Sequence, residues 1–337
     1  VGLAMGATVM IGQAVGAQNR AKANRYIGNT ITLFVGAAAV LTLTMLSLSG
    51  VVVRLMSTPA AAQAGTEAYL RICFAGLPFI IAYNVISAIF RGMGDSKSPM
   101  YFIAAACVAN IGLDILFMGP LALGPAGAAL GTTLSQSFSV VLSLIVVVRR
   151  RMLPDLSAAH LRPQREILGD MVKIGVPVAL QDSFIQVSFL AITVFANLRG
   201  LNDAAAVGIV EKIIGILFLV PSTMLSTVSA LAAQNIGAGK PQRAREVMRD
   251  AIFIAAGVGL VLAVATQFCA VGLVGLFTES DTVALMGSQY LRSYVWDCLL
   301  AGIHFCISGY FCACGVSGYS FTHNAISILC ARLPLAW

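Results

Sequence analysis

Gln13-Ala14-Val15-Gly16-Ala17 returns 221 residues later as Gln234-Asn235-Ile236-Gly237-Ala238. At that same offset Tyr69-Leu70-Arg71 falls on Tyr290-Leu291-Arg292, and Phe90, Gly94 and Ser96 fall on Phe311, Gly315 and Ser317. Identity between the two stretches is low elsewhere. Collinear matches at one constant spacing, each where an apolar run meets a polar loop, therefore mark an internal repeat.

The composition says what is repeated. Of 337 residues, 58% are hydrophobic and 10% charged, against roughly a quarter charged in soluble domains. Neither a water-soluble globule nor a disordered chain fits. The apolar runs are too long for the ten-residue alternation of a membrane β-barrel, whereas 32 glycines suit helices packed closely within a bilayer. The eight cysteines show no framework spacing, so disulfides are not expected. Cys312, Cys314 and His304 have poor metal-ligand spacing, and no metal is expected. The +7 net charge sits in short loops and reads as a topology signal, not as a nucleic-acid surface.

Apolar elements are read at 1–17, 28–52, 70–91, 98–118, 127–148, 174–198, 205–235, 251–278, 288–313 and 319–337. Most meet the roughly twenty residues that a spanning helix needs. Lys and Arg concentrate in alternate loops, at 20–25, 91–97, 149–165 and 240–249, which the positive-inside rule makes cytoplasmic. The expected fold is thus all-α and polytopic, two pseudo-symmetric six-helix bundles with twelve helices when complete and about ten here. Residues 1–148 make the N-terminal lobe, 149–170 a cytoplasmic linker and 171–337 the C-terminal lobe. Under the repeat, the first and last helices fall outside the chain, and Val1 starts in mid-helix. Parallel six-helix halves imply a carrier with a cleft between lobes and a site near the midplane.

With these features in place the sequence resembles the multidrug and toxic compound extrusion (MATE) transporters. The resemblance runs from the family's second helix to its eleventh. It rests on GQAVGAQNRAKANR at 12–25, FRGMGDSKSP at 90–99, NIGLDILFMGPLALGPAGAALGTTLSQ at 110–136, AAQNIGAGKPQRAREV at 232–247 and RLPL at 332–335. It implies secondary antiport by alternating access, exporting cationic or amphipathic drugs and metabolites in exchange for H⁺ or Na⁺, with no other cofactor. It also implies a multi-pass monomer in the bacterial inner (plasma) membrane.

Ionisable residues inside spanning helices cost at least ~2.5 kcal/mol on insertion scales, which makes each one a functional candidate. Asp114 follows Asn110 by four residues, so both share a helix face. A carboxyl group in low dielectric can carry a proton near neutral pH or pair with a cation; the bland alternative is a brace at the Gly119–Pro120 turn. The resemblance implies that Asn110 and Asp114, with the hydroxyl of Thr132, line an ion or proton pocket. In proton-coupled prokaryotic members a further acid comes from the first helix, which this chain is expected to lack. In the second lobe Asp182, Glu211, Asp297 and His304 are candidates for an ion or substrate site, although Glu211 beside Lys212 also reads as an interfacial pair and His304 as a helix-to-helix hydrogen bond. Gln13 and Gln234 are read first as structural, with weaker expectations of cavity lining, as for Asn84. Pro78 and Pro221 are expected to kink their helices. Phe79, Phe90, Phe184, Phe189 and Phe218 are candidate cavity walls.

A membrane enzyme would need a constellation such as HExxH or GxSxG, and the sequence has neither. A channel fits an asymmetric two-lobed repeat less well than a carrier. A lipid-linked oligosaccharide flippase of the related superfamily is the alternative, but it calls for a cationic cleft and these helices are poor in charge.

Overall fold

The computed structural model describes residues 2–55, 60–153, 156–332 and 334. Val1, Pro154 of the linker, and Leu333 and Leu335 of the RLPL motif lie outside them. Every regular element among the described residues is helical: α1 (Gly2–Gly16), α2 (Arg20–Leu55), α3 (Ala60–Gly92), α4 (Lys97–Met118), α5 (Gly124–Arg149), a 3₁₀ turn (Ala158–Leu161), α6 (Arg165–Arg199), α7 (Leu201–Leu217), α8 (Leu219–Gly237), α9 (Pro241–Gly275), α10 (Asp281–Ala313) and α11 (Ser317–Ser327), which runs into a π turn at Ile328–Arg332. Counting α7 and α8 as one apolar stretch, eight are long and apolar enough to cross a membrane.

One expectation about helix shape is corrected. The element read as one helix over 205–235 is two, broken at Phe218. Pro221 has no N–H for the carbonyl of Leu217, and its ring crowds that carbonyl, so the break appears upstream of the proline itself. Pro78 and Pro177, by contrast, lie inside uninterrupted helices.

The described chain divides into two compact units, a first of Asn19–Gly169 and a second of Val1–Gln18 with Asp170–Trp337. This differs from the expected division at 149–170 in two ways. First, α1 packs with the later helices, because its glycines bring it onto their backbones: Gly6 lies against the carbonyl of Met171, and Gly16 against that of Gln234, with no room for a Cβ at either place. Second, 149–169 is strapped onto α2. Fully buried Asn29 donates from Nδ2 to the His160 carbonyl at 3.3 Å and accepts at Oδ1 from the Gln164 amide at 2.7 Å, and Thr32 Oγ1 donates to the Leu161 carbonyl at 2.6 Å.

The helix ends repeat at the spacing found in the sequence. α1 closes with Ala17 N to Gln13 O and Gln18 N to Val15 O, both 2.9 Å; α8 closes with Ala238 N to Gln234 O at 2.9 Å and Gly239 N to Ile236 O at 3.0 Å. α3 ends with Gly94 N to Arg91 O and Asp95 N to Phe90 O, and α10 with Gly315 N to Cys312 O and Val316 N to Phe311 O. Gly94 and Gly315 adopt φ of +92° and +77°, the left-handed turn that ends a helix and that glycine reaches without strain.

Packing follows membrane logic. α9 buries a stripe of small residues that includes Ala251, Ala255, Gly259 and Ala263, and Gly259 reaches the backbone of Leu299 on α10, while Gly302 of α10 meets Ala255. Small side chains let the two backbones approach, which supplies the dispersion contact that lipid does not. The opposite face of α9 exposes Phe253, Val261 and Phe268, as a lipid-facing surface does.

Candidate transport site

In the first unit, Asp114 lies on α4 one turn before its end at Met118. Its side chain is turned toward α5, where Oδ1 rests against Gly131 so closely that a Cβ there would overlap it. Asp114 Oδ1 and Asn110 Nδ2 are both buried and lack a protein hydrogen-bond partner. An unmet buried polar group costs about 1–3 kcal/mol, more if charged. Two such groups, one donor and one acceptor, share one face of α4 a single turn apart. Thr132 is exposed, so the structure brings Gly131, not the expected hydroxyl, against the carboxyl group. Asn84 is turned back onto its own helix, Nδ2 donating to the Ile80 carbonyl at 2.8 Å. An apolar cavity of about 450 Å³ lies elsewhere in this unit among α2, α3 and α5, with Phe90 in its wall.

In the second unit, Asp297 and His304 line one cavity of about 610 Å³, together with Phe189, Phe218, Tyr294 and Asn324. Glu211 lines a different part of the unit, where Oε1 accepts from Thr193 Oγ1 at 2.9 Å; its partner is a hydroxyl on α6. Asp182 is half-buried on α6. Phe184 packs edge-on against Phe321. Gln13 Nε2 donates to the Ala313 carbonyl at 2.8 Å, fastening the end of α1 to the end of α10, and Gln234 offers its backbone carbonyl to Gly16.

Sequence reasoning missed several residues. Gln181, one position before Asp182, is 1% exposed and accepts from Ser320 Oγ at 2.8 Å. His323 stacks on His304 with ring centroids 5.0 Å apart. The signal for His323 and for the partner of Gln181 was the spacing of Ser317, Ser320, Asn324 and Ser327, a polar stripe at helical period along α11.

The MatE family model matches residues 1–116 and 177–337. The chain belongs to the MatE family. Two probable multidrug resistance proteins of Bacillus subtilis are similar along most of their length: YpnP at 30% identity, with 92% of this chain and 69% of that protein aligned, and YoeA at 28%, with 100% and 74%. The multidrug export protein MepA of Staphylococcus aureus is 25% identical over 92% of this chain and 69% of its own length. Among solved structures, a MATE in complex with MaD3S superimposes with a TM-score of 0.92 at 23% identity, over 99% of this chain and 74% of that one. An outward-facing multidrug resistance MATE family transporter of the MOP superfamily does so with 0.92 at 24%, over 99% and 75%. At that identity the solved structures speak for the fold alone. This MatE chain is therefore a polytopic helical membrane transporter and not an enzyme.

Proposed function

We propose that this MatE transporter is a secondary antiporter of the bacterial inner membrane, exporting cationic or amphipathic drugs and metabolites against an inward flow of H⁺ or Na⁺ by alternating access. Relatives named for multidrug resistance and export support the drug-export part. The observation that carries the coupling part is the Asn110–Asp114 face: a buried carboxyl oxygen with no protein donor is held without a counter-charge by the chain itself. It gains most by taking up a proton or a small cation, and losing it again on the other half of the cycle. The aromatic and carboxylate lining around Asp297 suits an organic cation, since Phe and Tyr faces attract positive charge and Asp297 can balance it.

The test uses the full-length protein in proteoliposomes, with ΔpH and ΔpNa imposed separately while ethidium export is followed. One gradient alone is expected to drive export, and Asp114→Asn is expected to abolish the driven component with the protein still folded. Full gradient-driven transport by that variant would end the assignment of Asp114, and export indifferent to both gradients would end the antiport reading.

A further inference from the structure

α11 carries a polar stripe that its neighbours answer residue by residue. Ser317 Oγ donates to the Ile174 carbonyl on α6 at 3.0 Å. Ser320 Oγ donates to Gln181 Oε1 and is hydrogen-bonded to Ser308 Oγ of α10, all three residues being buried. One turn further along, the His323 ring stacks on that of His304 with 23° between their planes. Asn324 Nδ2 stands 3.3 Å from His304 Nε2. Two atoms of this seam, Gln181 Nε2 and Asn324 Oδ1, are buried without a protein partner.

The two rings also form a wall between two hollows. Both line the cavity of about 610 Å³ that holds Asp297, and both line a second of about 270 Å³ that holds Ser308 and Ser320. A hydrogen bond serving only to join α10 to α11 needs one imidazole and one amide, which His304 and Asn324 supply. A second imidazole stacked on the first, with open space on either side, is extra chemistry.

We propose that the His304–His323 pair is a proton-binding site of the second unit, holding one proton between two rings, and that its proton state sets how α11 rests on α10. Two imidazolium rings in such contact would repel, so the geometry suits one proton on the pair and not two. Histidine is the side chain whose charge ordinarily changes between pH 5 and 8. Among the described residues, few groups are able to bias the pair. Asp297 lies about two turns earlier on α10 and lines the shared cavity; α6 brings Gln181 and, next to it, Asp182; α11 brings Asn324. α8 and α9 meet this stretch of α10 through Leu225, Val228 and Ala255, and the thiols of Cys298 and Cys306 sit in the apolar clusters on that side. The site shares no residue with the Asn110–Asp114 face and stands apart from the reading of Asp114.

The experiment is an NMR titration of ¹⁵N-histidine in the full-length protein in lipid, for the wild type, His304→Gln, His323→Gln and His323→Phe, with ethidium transport measured across the same pH range. In the wild type the pair is expected to take up one proton and refuse a second, and removing either ring is expected to change the titration of its partner. The pH profile of transport is expected to shift in the same direction in both single glutamine variants. His323→Phe keeps a ring to stack and removes a titrating group, so it is expected to retain the wild-type thermal midpoint and to shift the transport profile as His323→Gln does. Rings that titrate independently, or a pH profile unchanged by His323→Phe, would overturn the proposal. Running both measurements in an Asp114→Asn background separates the two readings: lost gradient-driven export with an intact histidine titration touches Asp114 alone.

Discussion

The Cα of Gly16 rests against the carbonyl oxygen of Gln234, and the Cα of Gly237 rests against that of Gln13. The second contact is the first with each partner moved by the repeat spacing, so the two copies of one motif meet as mirror-role partners, each supplying a glycine and a carbonyl. Gly12 completes the crossing on Ala233, its own counterpart in the repeat, with 3.4 Å to that residue's Cβ from an added Cβ. Backbone cannot swing aside as a side-chain tip does. Gly16→Ala and Gly237→Ala are each expected to destabilise the fold by about 1–3 kcal/mol, and the double variant by less than the sum, because both perturb one crossing. Thermal unfolding of the four proteins in detergent measures this; additive losses would show two unrelated contacts.

Asn29 holds the 156–164 strap by two polar contacts inside the first unit, and its Nδ2 also donates to the Arg25 carbonyl of its own helix at 3.0 Å. Asn29→Leu keeps the volume but leaves the His160 carbonyl and Gln164 amide without that partner. The expected cost is about 1–3 kcal/mol. Because the strap is flanked by Arg151 and Arg165, faster trypsin cleavage there is the direct readout, and an unchanged cleavage rate would mean the strap is held by other contacts.

The elements and their repeat were legible because both are written in composition: apolar runs give the helices, and motif spacing gives the copies. What was not legible depends on helix rotation and on carbonyls. The break at Phe218 follows from a proline three residues later, since the group Pro221 disturbs is four residues upstream. Asn110 and Asp114 could be put on one face from spacing, but whether that face meets Gly131 or Thr132 on α5 turns on about 100° of rotation between adjacent residues. The allegiance of α1 was hidden because glycine close contacts leave no apolar signature. Gln181 was passed over in favour of Asp182, the charged neighbour, although the uncharged side chain is the one fully buried.

Asp95 closes the start of α4. Its Oδ1 accepts from the amides of Lys97 and Ser98 at 3.1 and 3.0 Å, and its Oδ2 accepts from Ser98 Oγ at 2.6 Å and pairs with Arg150 at 3.4 Å. Partial burial works against the charge, but the Ser98 hydroxyl, the two amides and the Arg150 guanidinium outweigh it and hold the carboxyl below its ordinary value. A lowered folded-state value stabilises above the unfolded one, near pH 4, and that contribution is lost as pH falls through the lowered value. Asp95→Ala is expected to cost about 0.5–2 kcal/mol at neutral pH, as loss of a helix cap does. The gap between wild type and Asp95→Asn should be constant above about pH 5 and close in stronger acid. Melting curves from pH 3 to 7 check it; a gap that widens in acid would contradict the sign.

Gly131 is the residue whose lack of a side chain lets the Asp114 carboxyl lie against α5. In Gly131→Ala the new methyl would meet Oδ1, and since Oδ1 is the free end of a short side chain, the carboxyl group turns away and the helices stay packed. The stability cost is therefore expected to be small, under about 1.5 kcal/mol, as for tolerated packing changes. Gradient-driven ethidium export is expected to fall at least tenfold, which corresponds to about 1.4 kcal/mol of lost coupling interaction. Adding Asp114→Asn to Gly131→Ala should lower driven export no further than Asp114→Asn does alone, because the glycine acts only through that carboxyl group. Independent, multiplying losses would show that Gly131 serves the packing of α4 on α5 and not the placement of the acid.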